Sequence, residues 1–306
     1  MRVVGFSEPG GPDVLRILEV ATPEAGPGEV RVRVKAAGVQ PFDLAVREGW
    51  TPGYLDSPPP YPRVPGNEFA GVVDQVGDGV SGFAVGDEVM GNSVLGSYSE
   101  FVVAPVANVT PKPARMPWEV AGAFPAAVMT PHIALEDLRV GEGDTLLVHA
   151  AAGGVGAVAV QLAEIAGATV IGTASEENHE YLRSLGAIPV RYGDGLADRV
   201  REVAPGGVDA AIDGAGGHAL EVSLELVKDR DRILTLVEHA RAEELGVRLT
   251  SAAKRSIARV AEAARHYEDG RLDLALKGVH PWGRAADAHR QVATGHGRGK
   301  VVLVMD

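Results

Sequence analysis

Residues 146–163 read LLVHAAAGGVGAVAVQLA: an apolar strand runs into a glycine-rich turn that opens a helix of small and apolar residues. Strand, turn and helix in that order are the setting in which the pyrophosphate of a dinucleotide is held. Gly153 and Gly154 carry no side chain, so the backbone of the turn Gly153-Gly154-Val155 approaches an anion, and Gly156 lets the helix pack closely on its strand. The positive end of the helix favours the same negative charge. Ala151 stands where the strict G-x-G-x-x-G pattern has its first glycine. A glycine turn alone also suits ordinary chain reversal, and it is the flanking strand and helix that favour a cofactor.

Outward from this turn, apolar runs at 145–150, 169–173, 208–213 and 232–237 alternate with helical stretches, 155–166 and the run between Ser175 and Gly186. Such alternation predicts a parallel sheet. The second strand ends Thr173-Ala174-Ser175 without a carboxylate, so a 2′-phosphate on the adenosine ribose is not repelled there. Ser175 and Asn178 are its hydrogen-bond donors in this reading, which favours NADPH and keeps NADH as an option. Glu176, Glu177 and the lack of Arg or Lys in that turn weigh against a strong preference. Ser175 reads equally well as a plain helix N-cap.

Up to about residue 109 the texture differs, with short valine-rich runs at 29–36, 68–76, 87–90 and 98–103 punctuated by Gly and Pro, an all-β pattern. The stretch 51–65, TPGYLDSPPPYPRVP, excludes regular structure. After residue 250 the sequence predicts an amphipathic helix over 252–269 and a last strand over 300–305 that returns to the first domain.

The length of 306 residues points to two domains, and 45% apolar with 23% charged residues to a folded chain. A net charge of −12 speaks against nucleic acid and anionic membranes as partners. With no Cys, disulfides, thiolate catalysis and sulfur-ligated zinc are excluded. The N-terminal MRVVGFSEPGG has no signal-peptide pattern and no stretch reaches bilayer length, which predicts a cytoplasmic protein.

Five stretches in order, GVQPFDLAVREG from Gly38, VPGNEFAGVVDQVGDGVSGFAVGDEVMG from Val64, GSYSEFVV from Gly96, AAGGVGAVAVQLA from Ala151 and GRGKVVLV from Gly297, resemble the zinc-independent quinone oxidoreductase (ζ-crystallin-like) branch of the medium-chain dehydrogenase/reductase superfamily. The resemblance implies an α/β protein: a GroES-like domain at 1–120, completed by about 256–306, and a Rossmann doubly wound domain at 121–255, with the cofactor in the cleft between them. Where zinc-using relatives have Cys and His ligands, this chain has Gln40 and Asn67, which implies no metal. The resemblance places Thr130 at the nicotinamide ribose, Tyr192 near the adenosine phosphate, Asn178 where some NADPH-using relatives have Lys, and Leu236 and Val237 beside the nicotinamide. It also implies a homodimer through the edge near 245–250. RNA binding, occasionally seen in the family, fits poorly with the acidic balance.

The activity implied is NADPH-dependent hydride transfer to a small quinone or α,β-unsaturated carbonyl. The alternatives are an enoyl or ketone reductase tailoring a polyketide-like intermediate and a non-catalytic NADPH-binding protein. Donors for the oxygen that gains charge are Gln40, Arg47 and Tyr54. Against these roles, Gln40 also reads as a satisfied buried amide, Arg47 as an ion pair with Asp43 or Glu48, and Tyr54 as a lid residue. Phe42, Trp50 and Tyr61 form either an apolar wall for a flat ring or part of the domain core.

Overall fold

The computed structural model describes residues 1–53, 55 and 57–305. Its parallel sheet has the order Ile188–Arg191, Thr169–Ala174, Thr145–Val148, Ala210–Asp213, Ile233–Thr235. Alternate residues serve opposite faces: Leu146, Val148, Val170 and Ile212 pack into one core, while Leu147, Ile171, Ala211 and Ile233 pack into another. Both faces are therefore covered by helices, as a parallel sheet requires. The strand order reverses between Thr145–Val148 and Ala210–Asp213, and the crevice outside the carboxyl ends at such a switch point is where ligands bind. The glycine turn opens there, into the helix Gly156–Ile165. A Cβ on Gly156 would stand 2.8 Å from the Ala151 Cα, so close helix-to-strand packing requires glycine at this position. The strand Ile188–Arg191 is absent from the sequence reading because IPVR is too short and too interrupted by proline to carry a period.

The second sheet has seven strands, mainly antiparallel, built on Glu29–Val39, Glu68–Val76, Glu88–Asn92, Phe101–Pro105 and Val109–Pro111. The chain returns to it at the end: Lys300–Val304 pairs antiparallel with Glu29–Val39 and parallel with Leu276–Pro281. The region read as all-β also contains a helix, Pro41–Arg47, which the short apolar runs around it obscure in the sequence. The helix predicted over 252–269 is Ile257–Glu268, shorter because Ser256 caps it through the Ala258 N–H, and a further helix, Ala285–Ala293, follows it. In place of an edge strand near 245–250 there is one parallel bridge, Leu234 to Arg248.

A 20-residue helix, Trp118–Asp137, packs against strands of the seven-stranded sheet and against the helix Gly156–Ile165. Pro125 interrupts its hydrogen-bond ladder, and the next amide, Ala126 N–H, donates to Glu68 Oε2 at 2.7 Å. Gly122 lies so close to Ala36 that a Cβ would come within 2.5 Å of the alanine methyl.

Glu68 is fully buried and its other oxygen accepts from the equally buried Lys300 Nζ at 2.9 Å. Removing one member of such a pair strands a charge in the interior. Lys300→Met should cost about 3–5 kcal/mol by urea denaturation, and adding Glu68→Gln should recover more than half of the loss. A second expectation concerns pH. His149, buried between the Thr173 and Ser223 hydroxyls at 3.1 and 3.0 Å, has its pKa lowered from 6.5 to about 4 by burial. The unfolded chain therefore takes up a proton that the native chain refuses as pH falls below 6.5, and stability drops until about pH 4. His149→Gln should remove about 3 kcal/mol of that pH dependence, read from urea midpoints between pH 7 and 4.

Candidate active site

The proline at the start of the helix Pro41–Arg47 fixes the chain behind Gln40, whose backbone N–H donates to Asp43 Oδ2 at 2.9 Å. Asp43 Oδ1 accepts from Gly66 N–H at 3.0 Å, next to Asn67. One buried carboxylate thus holds the backbone of both segments, and the Gln40 Nε2 donates to Asn67 Oδ1. Among the described residues, Asn67 Nδ2 has no hydrogen-bond partner. Asn67 lines a cavity of about 410 Å³ together with Asn92, Asn108, Met129 and the turn Arg255-Ser256-Ile257. Met129 is the neighbour of the half-buried Thr130.

Behind this pair runs a buried hydrogen-bonded chain. Arg47 Nη1 donates to His289 Nδ1 at 3.1 Å, the His289 Nε2 and Tyr98 hydroxyl are 3.3 Å apart, and Tyr98 donates to Asp43 Oδ2 at 3.2 Å. Burial and the Arg47 charge lower the His289 pKa to about 3, keeping the ring neutral. Burial first, then the Glu68 charge, raises Asp43 to about 7, against the lowering effect of its two amide donors. Sequence reading had no signal for His289 or Tyr98, since each lies far along the chain from Asp43.

Arg47 does not serve the cleft. It is 3% exposed, and its guanidinium is engaged by the Gly10 carbonyl at 2.8 Å, His289 and Glu48. The ion-pair reading holds with Glu48 as partner. Tyr54 lies outside the described residues. Phe42 packs edge-on against Trp50 and Tyr61 against Phe6, two separate pairs that do not line the cavity.

Around the glycine turn, Gly153, Gly154 and Val155 are half-exposed at the sheet's switch point, and Gly156 is buried. This open backbone at a helix start fits a dinucleotide pyrophosphate. Gly299 N–H donates to the Ala152 carbonyl, and the Lys300 stem lies where a Gly154 side chain would be, 2.6 Å from such a Cβ. At the end of the second strand, Ser175 donates to Glu177 Oε1 and accepts from Asn178 Nδ2, so its hydroxyl caps no amide. Glu176 pairs with Arg191. Arg298, from the C-terminal segment, stacks over Tyr181 at 4.5 Å and reaches toward Asn178 Oδ1 at 3.4 Å. Thr173 is buried with its hydroxyl on His149, so its side chain holds the sheet. Tyr192 and Val237 are half exposed, and Leu236 N–H donates to the Asp213 carbonyl at 2.8 Å beside the same crevice. Among the described residues no three His, Cys, Asp or Glu side chains converge as a metal set, and no helix is long and apolar enough to cross a membrane.

Residues 26–114 match the alcohol dehydrogenase GroES-like domain, and 154–237 match the zinc-binding dehydrogenase domain. The human synaptic vesicle membrane protein VAT-1 homolog-like protein is 37% identical over 74% of this chain, which spans about half (54%) of that relative's length. Human quinone oxidoreductase is 30% identical over 100% of this chain and 98% of its own. Among solved structures, an NAD-dependent alcohol dehydrogenase superposes with a TM-score of 0.88 at 33% identity, covering 100% of both chains. A mycobacterial protein complexed with NADPH superposes at 0.85 and 31%, covering 99% of this chain and 100% of its own. With the five-stranded parallel sheet and the seven-stranded sheet, these likenesses make the chain a member of the medium-chain dehydrogenase/reductase superfamily, in its quinone oxidoreductase branch.

Proposed function

We propose that the chain is a nicotinamide-dependent reductase of small quinones or α,β-unsaturated carbonyls that works without zinc and prefers NADPH. The observation that carries this reading is the Gln40–Asn67 amide pair at the cavity, standing where zinc-using relatives place metal ligands. Reduced nicotinamide bound at the glycine turn supplies a hydride, two electrons with it, and a proton from solvent completes reduction of the acceptor. As the acceptor oxygen gains negative charge, the Asn67 Nδ2–H stabilises it. Gln40 holds the Asn67 amide in that sense by occupying its oxygen, and Asp43 holds Gln40 and Gly66 in place. Such fixed donors contribute most when water is excluded.

The NADPH preference is supported by Arg298, the cation that the second strand's own turn lacks. Its guanidinium has no carboxylate partner among the described residues and sits against Asn178 and Tyr181, where a 2′-phosphate would find it beside Ser175. The family-typical position of Thr130, on the helix that lines the cavity, fits contact with the nicotinamide ribose. A dimer, a small-molecule substrate and a cytoplasmic location belong to the same reading.

The test is loss of reduced-nicotinamide absorbance with NADPH or NADH against quinones and enones, with a chelator present throughout. Turnover surviving chelation is expected. NADPH binding with no acceptor reduced would instead favour a non-catalytic role. Asn67→Ala should lower kcat roughly 10- to 100-fold. Gln40→Glu should lower it by the same order, because a carboxylate turns the Asn67 amide round and presents its oxygen to the acceptor. Arg298→Ala should reduce the NADPH-over-NADH ratio of kcat/KM about 5- to 20-fold, a charge-assisted contact discounted for exposure.

A further inference from the structure

The 410 Å³ cavity that Asn67 lines is also lined by the turn that precedes the helix Ile257–Glu268, and that turn carries Arg255. Its neighbours in sequence are neutralised: Lys254 pairs with Asp137 and Glu136, and Arg259 pairs with Glu136. Arg255 makes no hydrogen bond or ion pair among the described residues. The cavity wall otherwise consists of amide, hydroxyl and apolar side chains, with Asn92, Ser93 and Asn108 facing it and no Asp or Glu among the described residues that line it. In a chain with 41 acidic residues against 29 basic ones, a cavity that excludes carboxylates and retains one unpaired guanidinium is arranged for an anion. The first turn of the adjoining 12-residue helix adds a field of the same sign.

We propose that the acceptor reduced by this chain carries a carboxylate, which Arg255 binds while the reacting carbonyl lies at Asn67. This rests on the reductase reading above and narrows its substrate class. Both residues line one cavity of about 410 Å³, so the carboxylate and the reacting carbon belong to one molecule of one or two rings or an equally short chain. Guanidinium and carboxylate match in a two-bonded planar contact, and the amides of Asn92 and Asn108 line the same cavity.

The experiment compares benzylideneacetone with its para-carboxylate as acceptors, for the unsubstituted chain and for Arg255→Ala, Arg255→Lys and Arg255→Glu. Arg255 is on the surface of the cavity and exposed, so these variants should fold. The ratio of kcat/KM for the carboxylate over the neutral ketone should fall about 5- to 20-fold in Arg255→Ala, mostly through KM. It should recover in part in Arg255→Lys and fall below the alanine value in Arg255→Glu. A ratio that stays within twofold in Arg255→Ala overturns the proposal, whatever the absolute rates do. If the unsubstituted chain reduces neither acceptor, nor a small quinone, with either nicotinamide, the reductase reading fails, and the pocket is read separately by calorimetric binding of the same two compounds. Excess affinity for the carboxylate that disappears in Arg255→Ala then supports the anion site, and equal affinity for both compounds rules it out.

Discussion

Glu68 and Lys300 are brought together from opposite ends of the chain, and the architecture depends on their meeting. Glu68 begins a strand of the seven-stranded sheet, Lys300 begins its last-formed strand, and Ala126 on the long helix donates to the second Glu68 oxygen. A buried ion pair contributes little net stability, since its attraction roughly offsets the loss of hydration. Its effect is on geometry: any arrangement that separates the partners leaves two charges without water. The surrounding residues are shaped to it. A side chain at Gly38 would overlap Glu68, one at Gly154 would overlap the Lys300 stem, and Pro125 leaves the helix ladder open where the Ala126 amide turns aside. The glycine turn is thereby fixed relative to Asn67, the residue next to Glu68 in sequence.

A second constraint concerns protons. Asp43, Tyr98 and His289 are fully buried and joined in one hydrogen-bonded chain that begins at Arg47. With His289 neutral, Nδ1 accepts from Arg47, which leaves Nε2–H to donate to the Tyr98 hydroxyl and the phenol proton to face Asp43. Each donor has one acceptor, so the chain has a single direction and ends on Asp43, whose two oxygens also accept from the Gln40 and Gly66 amides. A residue that sequence suggests as an oxyanion donor, Arg47, is instead the fixed end of this chain. The distinction follows from burial: a guanidinium held by a carbonyl, an imidazole and a carboxylate has no free face for a ligand.

The parallel sheet was legible because residues 145–148, 169–174 and 210–213 are apolar runs bounded by glycine and helix signals, and length separates them from helices. The return of 300–304 to the first sheet was legible from the family-like order of motifs. What sequence could not supply were pairings between distant residues. Nothing local in GRGK says that the lysine meets Glu68 or that the arginine reaches Asn178, and nothing in HRQVA says that its histidine meets Tyr98 and Arg47. Thr173 shows the same limit from the other side: its place at a strand end resembles a ligand position, yet its hydroxyl points into the sheet and meets His149. Strand periodicity assigns a residue to a face, but only the tertiary neighbours decide whether that face is a pocket or a core.

The distribution of charge adds a last argument. An acidic chain has carboxylates to spare, and about half of the exposed arginines here are paired with one within 4 Å, as in Arg2–Glu100, Arg201–Glu225 and Arg290–Asp13. Among the described residues, Arg298 and Arg255 are without such a partner, as are Arg16, Arg33, Arg115, Arg230 and Arg265; Arg298 lies beside the end of the second strand and Arg255 lines the same cavity as Asn67. Surface ion pairs are worth little to folding, so leaving these guanidinium groups unpaired costs little stability. It does cost solubility of the pattern: each is a local positive site within a field that is negative overall, and such sites concentrate anions. The Gln40–Asn67 amide pair is neutral, and the buried Asp43 holds the backbone on both sides of it. On the proposed reading, Arg298 meets a phosphate of the donor and Arg255 a carboxylate of the acceptor, while the reacting atoms lie at the uncharged amide pair, where an amide proton is the strongest electrostatic feature available.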